Sequence, residues 1–284
     1  LLNSSKVIFL DRFDTKRIIE ELPNSTVMMG VPTFYVRLLR DNEFKKDKCL
    51  NMRLFISGSA PLLSETFHTF ESLTGKRILE RYGMTETGML TSNPYNGDRI
   101  AGTVGYLLPT VKGRISNQNG QPVSGQEIGI LEVKGPNVFT GYWGMPEKTA
   151  SEFRSDGYFV TGDMASIDNT GRISIVGREK DLVISGGYNV YPKEIESILD
   201  EINGVNESCV IGLTHVDFGE AVTALIVEEK HSKTSKEEIF RILKNKLAKY
   251  KHPKAIMFID ELPRNTMGKV QKNVLRLKYK EYYN

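Results

Sequence analysis

Over the first eighty residues, short apolar runs (residues 5–10, 26–30 and 53–57) alternate with segments of helical spacing (14–21, 33–40 and 64–73). A chain that switches repeatedly between the two-residue period of a strand and the 3.6-residue period of a helix builds βαβ units, so its strands lie largely parallel in one sheet. Ligands of such sheets collect beyond the carboxyl ends of the strands. Two segments therefore stand out, "LFISGSAPL" (54–62) and "RILERYGMTET" (77–87), each a strand emptying into a loop of small or polar residues.

The texture changes twice further along. Between 100 and 177, short apolar segments are punctuated by Gly, Pro and Asn, the spacing of a small antiparallel sheet or barrel. "PEKTASEF" (146–153) is the one helix expected there, with Pro146 in its first turn. From about 178 the pattern predicts a helix over 191–201, strands over 207–213 and 220–229, and an amphipathic helix over 235–250. A strand over 255–260 and a basic helix over 270–283 follow. This tail is a compact α+β unit of about 100 residues. The whole is read as an α/β protein of two domains, which 284 residues can accommodate.

Lys and Arg total 38 against 35 Asp and Glu, a net +3 that is too even to serve a nucleic acid or a membrane surface. Any anion is handled locally, so the partners expected are small molecules. The longest apolar stretch, "VMMGVPTFYV" (27–36), is broken by Pro32 and falls short of the ~20 residues that span a bilayer. Cys49, Cys209 and the four histidines are scattered without metal-ligand spacing. That usage points to no zinc and to a reducing compartment, the cytoplasm or, in a eukaryote, the mitochondrial matrix. No charged-then-apolar leader opens the chain. Leu1 stands just ahead of the strand-like "KVIFL" (6–10) without a capping segment, as in a chain that begins inside a domain.

Five segments carry residue types suited to chemistry. In "SGSAPL" (57–62), Gly58, Ser59 and Ala60 let backbone approach a flat ligand; the alternative is a plain strand-to-helix turn with Ser59 or Ser64 as cap. In "LERYGMTET" (79–87), Tyr82 offers a stacking face, Gly83 close approach and Thr85 a hydroxyl. Glu86 offers the hard carboxylate that Mg²⁺ prefers. Its alternative is a helix N-terminus with Thr85 as cap and Glu86 favoured by the dipole. "VTGDM" (160–164) supplies Asp163 in a loop, either as a ribose-binding carboxylate or as turn chemistry. "GREKDLVISGGYNVYPKEIE" (177–196) gathers Arg178, Lys180, Gly186 and Gly187, more charge and glycine than a linker and a capped helix require. "LPRNTMGKVQK" (262–272) delivers Lys269 on a Pro/Asn/Gly loop, a point charge able to swing onto a carboxylate or phosphate, or simply a solvated lysine.

In this order and at these separations the segments resemble the adenylate-forming superfamily of acyl-CoA synthetases, firefly luciferases and peptide-synthetase adenylation domains. The resemblance implies that residues 1–179 form the C-terminal part of the AMP-binding large domain and 180–284 the small α+β domain, with a hinge at Lys180. It implies ATP, Mg²⁺ and CoA as cofactors or co-substrates. Ser59, Ala60 and Pro61 would line one face of the adenine and Tyr82 the other, with Glu80, Gly83 and Met84 completing the nucleotide site. Thr85 would touch the α-phosphate, Glu86 would hold Mg²⁺, and Asp163 and Arg178 would bind the ribose. Lys269 falls at the adenylation lysine, and Gly186 and Gly187 border the pantetheine tunnel.

Arg81 precedes the aromatic, where many relatives that take apolar acids carry a small residue. Its planar fork of donors suits a second carboxylate, unless it sits in a surface salt bridge. Here the chain resembles the bacterial malonyl-CoA synthetases, which implies a malonate:CoA ligase acting through a malonyl-adenylate. Alternatives are a synthetase for another short acid such as methylmalonate or acetate, or a non-catalytic chain that binds nucleotide or CoA. The superfamily's Ser/Thr/Gly-rich phosphate loop has no counterpart in the sequence, so activity is expected to need the missing N-terminal half.

Overall fold

The computed structural model describes residues 4–123, 126–229, 234–265 and 269–283. The chain divides into two compact units, one of Leu1–Arg114, Glu132–Phe159 and Ile167–Ile175, the other of Ile115–Leu131, Val160–Ser166 and Val176–Asn284.

In the first unit, α1 (Thr15–Glu21), β1 (Val27–Gly30), α2 (Pro32–Leu39), β2 (Leu54–Ser57), α3 (Ser64–Thr74) and β3 (Ile78–Met84) realise the expected alternation. The strands β1, β2 and β3 are parallel neighbours, and β4 (Gly88–Ser92) and β5 (Tyr106–Leu107) extend the same sheet antiparallel. Local chemistry sets the helix ends. The Asp14 side chain accepts the Arg17 N–H at the start of α1, Pro32 occupies the first turn of α2, and Gly75 closes α3 with φ +69°. Tyr35, Phe44, Phe55, Phe67, Phe70 and Ile78 pack into one core between helices and sheet. Each such side chain contributes about 1.5–3 kcal/mol through burial. The Tyr35 hydroxyl is buried with them and donates to the Ile56 carbonyl at 2.6 Å, so the core leaves no phenol unsatisfied.

The apolar run at 5–10 is not a strand. Residues 4–10 form no regular element, and Val7 and Phe9 are 67% and 84% exposed. An apolar run becomes a strand only when a neighbour takes its N–H and C=O groups, and no ladder among the described residues includes this segment.

A four-stranded sheet follows in sequence order, β6 (Lys112–Ser116), β7 (Gly129–Lys134), β8 (Phe159–Ile167) and β9 (Ile173–Arg178). Between β7 and β8 lies α4 (Pro146–Glu152). The remaining elements are β10 (Val183–Ser185), β11 (Tyr188–Val190), α5 (Pro192–Leu199), β12 (Val205–His215), β13 (Gly219–Glu228), α6 (Lys236–Lys246), β14 (Ala255–Phe258) and α7 (Lys272–Lys278). Their sheet runs β11-β10-β13-β12, with β14 parallel to β13. The middles of the two long strands, 209–213 and 221–227, are buried and largely apolar because both faces are covered. Val210, Val222 and Ala224 join one core with Ile195, Leu199, Ile239 and Leu243, while Cys209, Ile211, Leu213 and Leu225 join another with Leu262 and Leu275. Among the described residues no helix is long and apolar enough to cross a membrane.

Candidate functional site

The buried strand β2 ends at Ser57, and the chain passes through Gly58, Ser59, Ala60 and Pro61 into α3. Ser59 has φ +67°, a left-handed conformation that costs a residue with a side chain about 1–2 kcal/mol. Ser59, Ala60 and Pro61 are exposed. The N-cap of α3 is Leu63 without a side-chain cap bond, so neither Ser59 nor Ser64 caps the helix, and the plain-turn reading loses its reason for these serines.

Beneath this loop lies Glu80, paired in register with Ser57 and 6% exposed. Its Oε2 accepts the Leu62 N–H at 3.3 Å. Burial pushes its carboxyl from the ordinary 4.5 up to about 8, and the Leu62 bond offsets only part of that. Glu80 therefore ties the 57–62 loop to β3, the strand that leads to the second loop. Its own backbone carbonyl receives the Asn93 N–H (3.0 Å) and Asn93 Nδ2 (3.1 Å), and Nδ2 also reaches the Thr103 carbonyl at 2.7 Å. Sequence reasoning missed Asn93, which carries no motif signal and acts through these bonds and through its Oδ1, which accepts from the Ile100 N–H and Arg172.

Tyr82, Gly83 and Met84 lie in β3, and Thr85, Glu86 and Thr87 form the turn to β4. The Thr87 N–H closes this turn onto the Met84 carbonyl at 3.1 Å, and Gly88 follows with φ +60°. A hairpin tip thus replaces the helix N-terminus considered for Thr85 and Glu86. A Cβ on Gly83 would lie 2.1 Å from the Gly88 carbonyl oxygen, so the hairpin itself demands glycine there. Thr85 is exposed. The Glu86 carbonyl accepts the Phe139 N–H at 2.8 Å, and its Oε1 faces the Tyr142 hydroxyl at 3.2 Å.

Ser59, Arg81 and Gly83 come together on one cavity of ≈ 270 Å³, with Met29, Gly30, Val31, Phe34, Ile56, Gly58 and Met89 as its other walls. The guanidinium of Arg81 stands 4.0 Å from the Met29 sulfur. Among the described residues no carboxylate pairs with Arg81, so the surface salt bridge considered for it is not found. A cationic fork beside the apolar side chains of Met29, Val31, Phe34 and Met89 suits a small anionic group. Met29 escaped sequence reasoning because it stands 52 residues away along the chain.

In the second unit, Asp163 lies within β8 and not in a loop, although Gly162 beside it has φ +69°. The apolar residues around it supply a full strand, so the turn-like TGD does not end it. Asp163 is 4% exposed, and Arg178 Nε reaches its Oδ1 at 2.7 Å. Lys180 is exposed in the 3₁₀ turn Glu179–Asp181. Gly186 and Gly187, with φ +58° and +80°, form the two-residue turn between β10 and β11, which requires left-handed backbone at both positions. Lys269 is exposed, its N–H donating to Asn265 Oδ1 at 2.9 Å. These last positions occupy three different loops. Among the described residues no group of three or more His, Cys, Asp or Glu converges to hold a metal. A lone hard carboxylate such as Glu86 fits Mg²⁺ where substrate phosphates supply the other ligands.

Comparison with known proteins places these features in a family. The AMP-binding enzyme family matches residues 1–143, and the AMP-binding enzyme C-terminal domain matches 194–269. The malonate–CoA ligase of Arabidopsis thaliana is 43% identical over 270 residues, covering 88% of this chain and 44% of the relative. The long-chain-fatty-acid–CoA ligase of Bacillus subtilis (strain 168) is 37% identical, covering 93% of this chain and 48% of the relative. The crystal structure of ATP-bound MatB from Rhodopseudomonas palustris superimposes with a TM-score of 0.93 at 55% identity, over 97% of this chain and 55% of that one. The chain spans about half the length of the relatives it matches. With the adenylate-forming fold shared along almost all of its length, the chain belongs to the AMP-binding enzyme family.

Proposed function

We propose that the chain is the C-terminal portion of an AMP-forming acid–CoA ligase whose acid is a short dicarboxylate, malonate. The observation that carries this reading is Arg81, unpaired by any described carboxylate, on the wall of an apolar cavity beside Ser59 and Gly83. The malonate–CoA ligase of Arabidopsis thaliana supports it. Because the matched relatives are about twice as long, the activity is assigned to the complete protein, including the remaining half that they carry.

In the first unit, Ser59, Ala60 and Pro61 meet one face of the adenine and Tyr82 the other, with Glu80, Gly83 and Met84 beside them. Thr85 donates to the α-phosphate. In the second unit, the Asp163 carboxylate, steadied by Arg178, takes the ribose hydroxyls. An oxygen of the substrate carboxylate attacks the α-phosphorus of ATP, forming the acyl-adenylate as the bond to pyrophosphate breaks. Lys269 contributes positive charge to that transition state. Glu86 would hold Mg²⁺, which when bound neutralises phosphate charge. The CoA sulfur, its proton lost, then attacks the acyl carbon and AMP leaves. Gly186 and Gly187 present a surface without side chains to the pantetheine, and Lys180 is the hinge between the half-reactions. Arg81 pairs with the distal carboxylate throughout.

The test is a substrate panel of malonate, methylmalonate, acetate and propionate on the complete protein and its Arg81→Gly variant. A site built to bind the second carboxylate rejects acids that lack it by about 10⁴-fold or more. Arg81→Gly should therefore lower kcat/KM for malonate at least a hundredfold more than for acetate, on the order of the discrimination such sites achieve. Equal losses on all four acids would refute the assignment.

A further inference from the structure

Tyr142 has one hydroxyl proton and faces two carboxylates. It donates to Glu152 Oε2 at 2.7 Å and stands 3.2 Å from Glu86 Oε1. The phenol is partly buried, and further contacts set its position. The Phe139 ring meets it edge-on at 4.8 Å, the Lys148 ammonium lies 4.0 Å from its centroid, and its backbone N–H donates to Thr149 Oγ1 at 2.9 Å. Lys148 Nζ is also 4.0 Å from Glu152 Oε1. The Phe139 N–H meanwhile fixes the backbone carbonyl of Glu86 at 2.8 Å. One short segment, 139–152, thus fixes the Glu86 main chain and sets a phenol against its side chain.

We propose that Tyr142 and Glu152 are positioning residues for Glu86, an inference that rests on the reading of Glu86 as the carboxylate for a metal–nucleotide complex. The phenol limits the rotamers of the Glu86 side chain. The closer contact with Glu152 draws the phenolic proton that way and leaves the Glu86 oxygen available to a cation. Removing Glu152 turns the proton onto Glu86, where it competes with the cation. Removing the hydroxyl takes away the oxygen that bounds the Glu86 carboxylate on that side and widens its range of rotamers. Partners of this kind typically change metal affinity by about 10–100-fold. Lys148 acts with the opposite sign, because its charge beside Glu152 opposes a cation nearby.

The experiment is a Mn²⁺ titration followed by electron paramagnetic resonance on the complete protein with ATP present, alongside the malonate KM and the thermal midpoint. Tyr142→Phe and Glu152→Ala should each raise the Mn²⁺ dissociation constant about tenfold with the malonate KM unchanged. The double variant should lose no more than about twofold beyond Tyr142→Phe, the Glu152 charge adding to an effect that otherwise runs through one hydroxyl. Lys148→Met should tighten Mn²⁺ about twofold. If Glu86→Gln weakens Mn²⁺ while folded Tyr142→Phe and Glu152→Ala do not, the positioning role is refuted and the metal reading stands. If Glu86→Gln has no effect, both fall. Should Tyr142→Phe fail to fold, Glu152→Ala and Lys148→Met, at partly exposed positions, decide the matter by their opposite signs.

Discussion

Replacing Glu80 by Gln should stabilise the protein, and the gain should grow with pH. The folded state raises this carboxyl from 4.5 to about 8 because burial disfavours the ionised form. Between those values the native state binds the proton more tightly than the unfolded chain, so stability falls as pH rises. It is fully retained below 4.5, and the loss is complete above 8. At pH 7 the loss amounts to about 3 kcal/mol, and at pH 5 to about 1 kcal/mol, for a shift of this size. Glutamine cannot ionise, yet its oxygen can still accept the Leu62 N–H. An unpartnered amide N–H would take back ~1 kcal/mol, but equally at every pH. The difference in unfolding free energy between variant and wild type should therefore widen by up to about 1.4 kcal/mol per pH unit from pH 5 to 8. Urea unfolding of the 284-residue chain at pH 5, 6, 7 and 8, followed by circular dichroism, measures it directly. Parallel stability curves for the two proteins would mean that Glu80 is already ionised in the fold, and the account of the buried tie between the two loops would be wrong.

Glu132 is fully buried and receives Arg114 Nε and Arg154 Nε, each at 2.7 Å; Glu132→Leu leaves the Arg154 guanidinium without its carboxylate, while Arg114 keeps Asp156. Because both arginines keep some solvent contact, the expected cost is about 2–4 kcal/mol, below the full value for a wholly buried pair, read by urea unfolding. Gly83→Ala places a methyl 2.1 Å from the Gly88 carbonyl, so the β3–β4 hairpin must open. Nucleotide binding by the complete protein, measured calorimetrically, should fall with a lowered thermal midpoint, whereas an unchanged midpoint would show that the hairpin adapts freely.

Much of the fold was legible because local rules and tertiary structure agree. The βαβ alternation, α4 with Pro146 in its first turn, the helix expected over 191–201 and the strands expected over 207–213 and 220–229 all follow from short-range pattern. The failures share one cause. The 5–10 run has strand composition but no partner among the described residues, and Asp163 sits in turn-like sequence yet continues a strand because neighbours hold β8 in its ladder. Thr85 as a cap with Glu86 in a first helical turn is an expectation that fails likewise, since a Thr-Glu pair suits both a helix start and a hairpin tip.

The sequence by itself determined most of the order of elements, the family resemblance and the residue types available for chemistry, because periodicity and motif spacing are written along the chain. Only the tertiary structure decided which of those residues meet. Arg81 faces Met29 across 52 residues, and Tyr142 faces Glu86 across 56. The burial that shifts Glu80 likewise depends on what the folded chain packs around it. Solvent exclusion and hydrogen-bond geometry are properties of positions in space, and no local stretch of sequence specifies them.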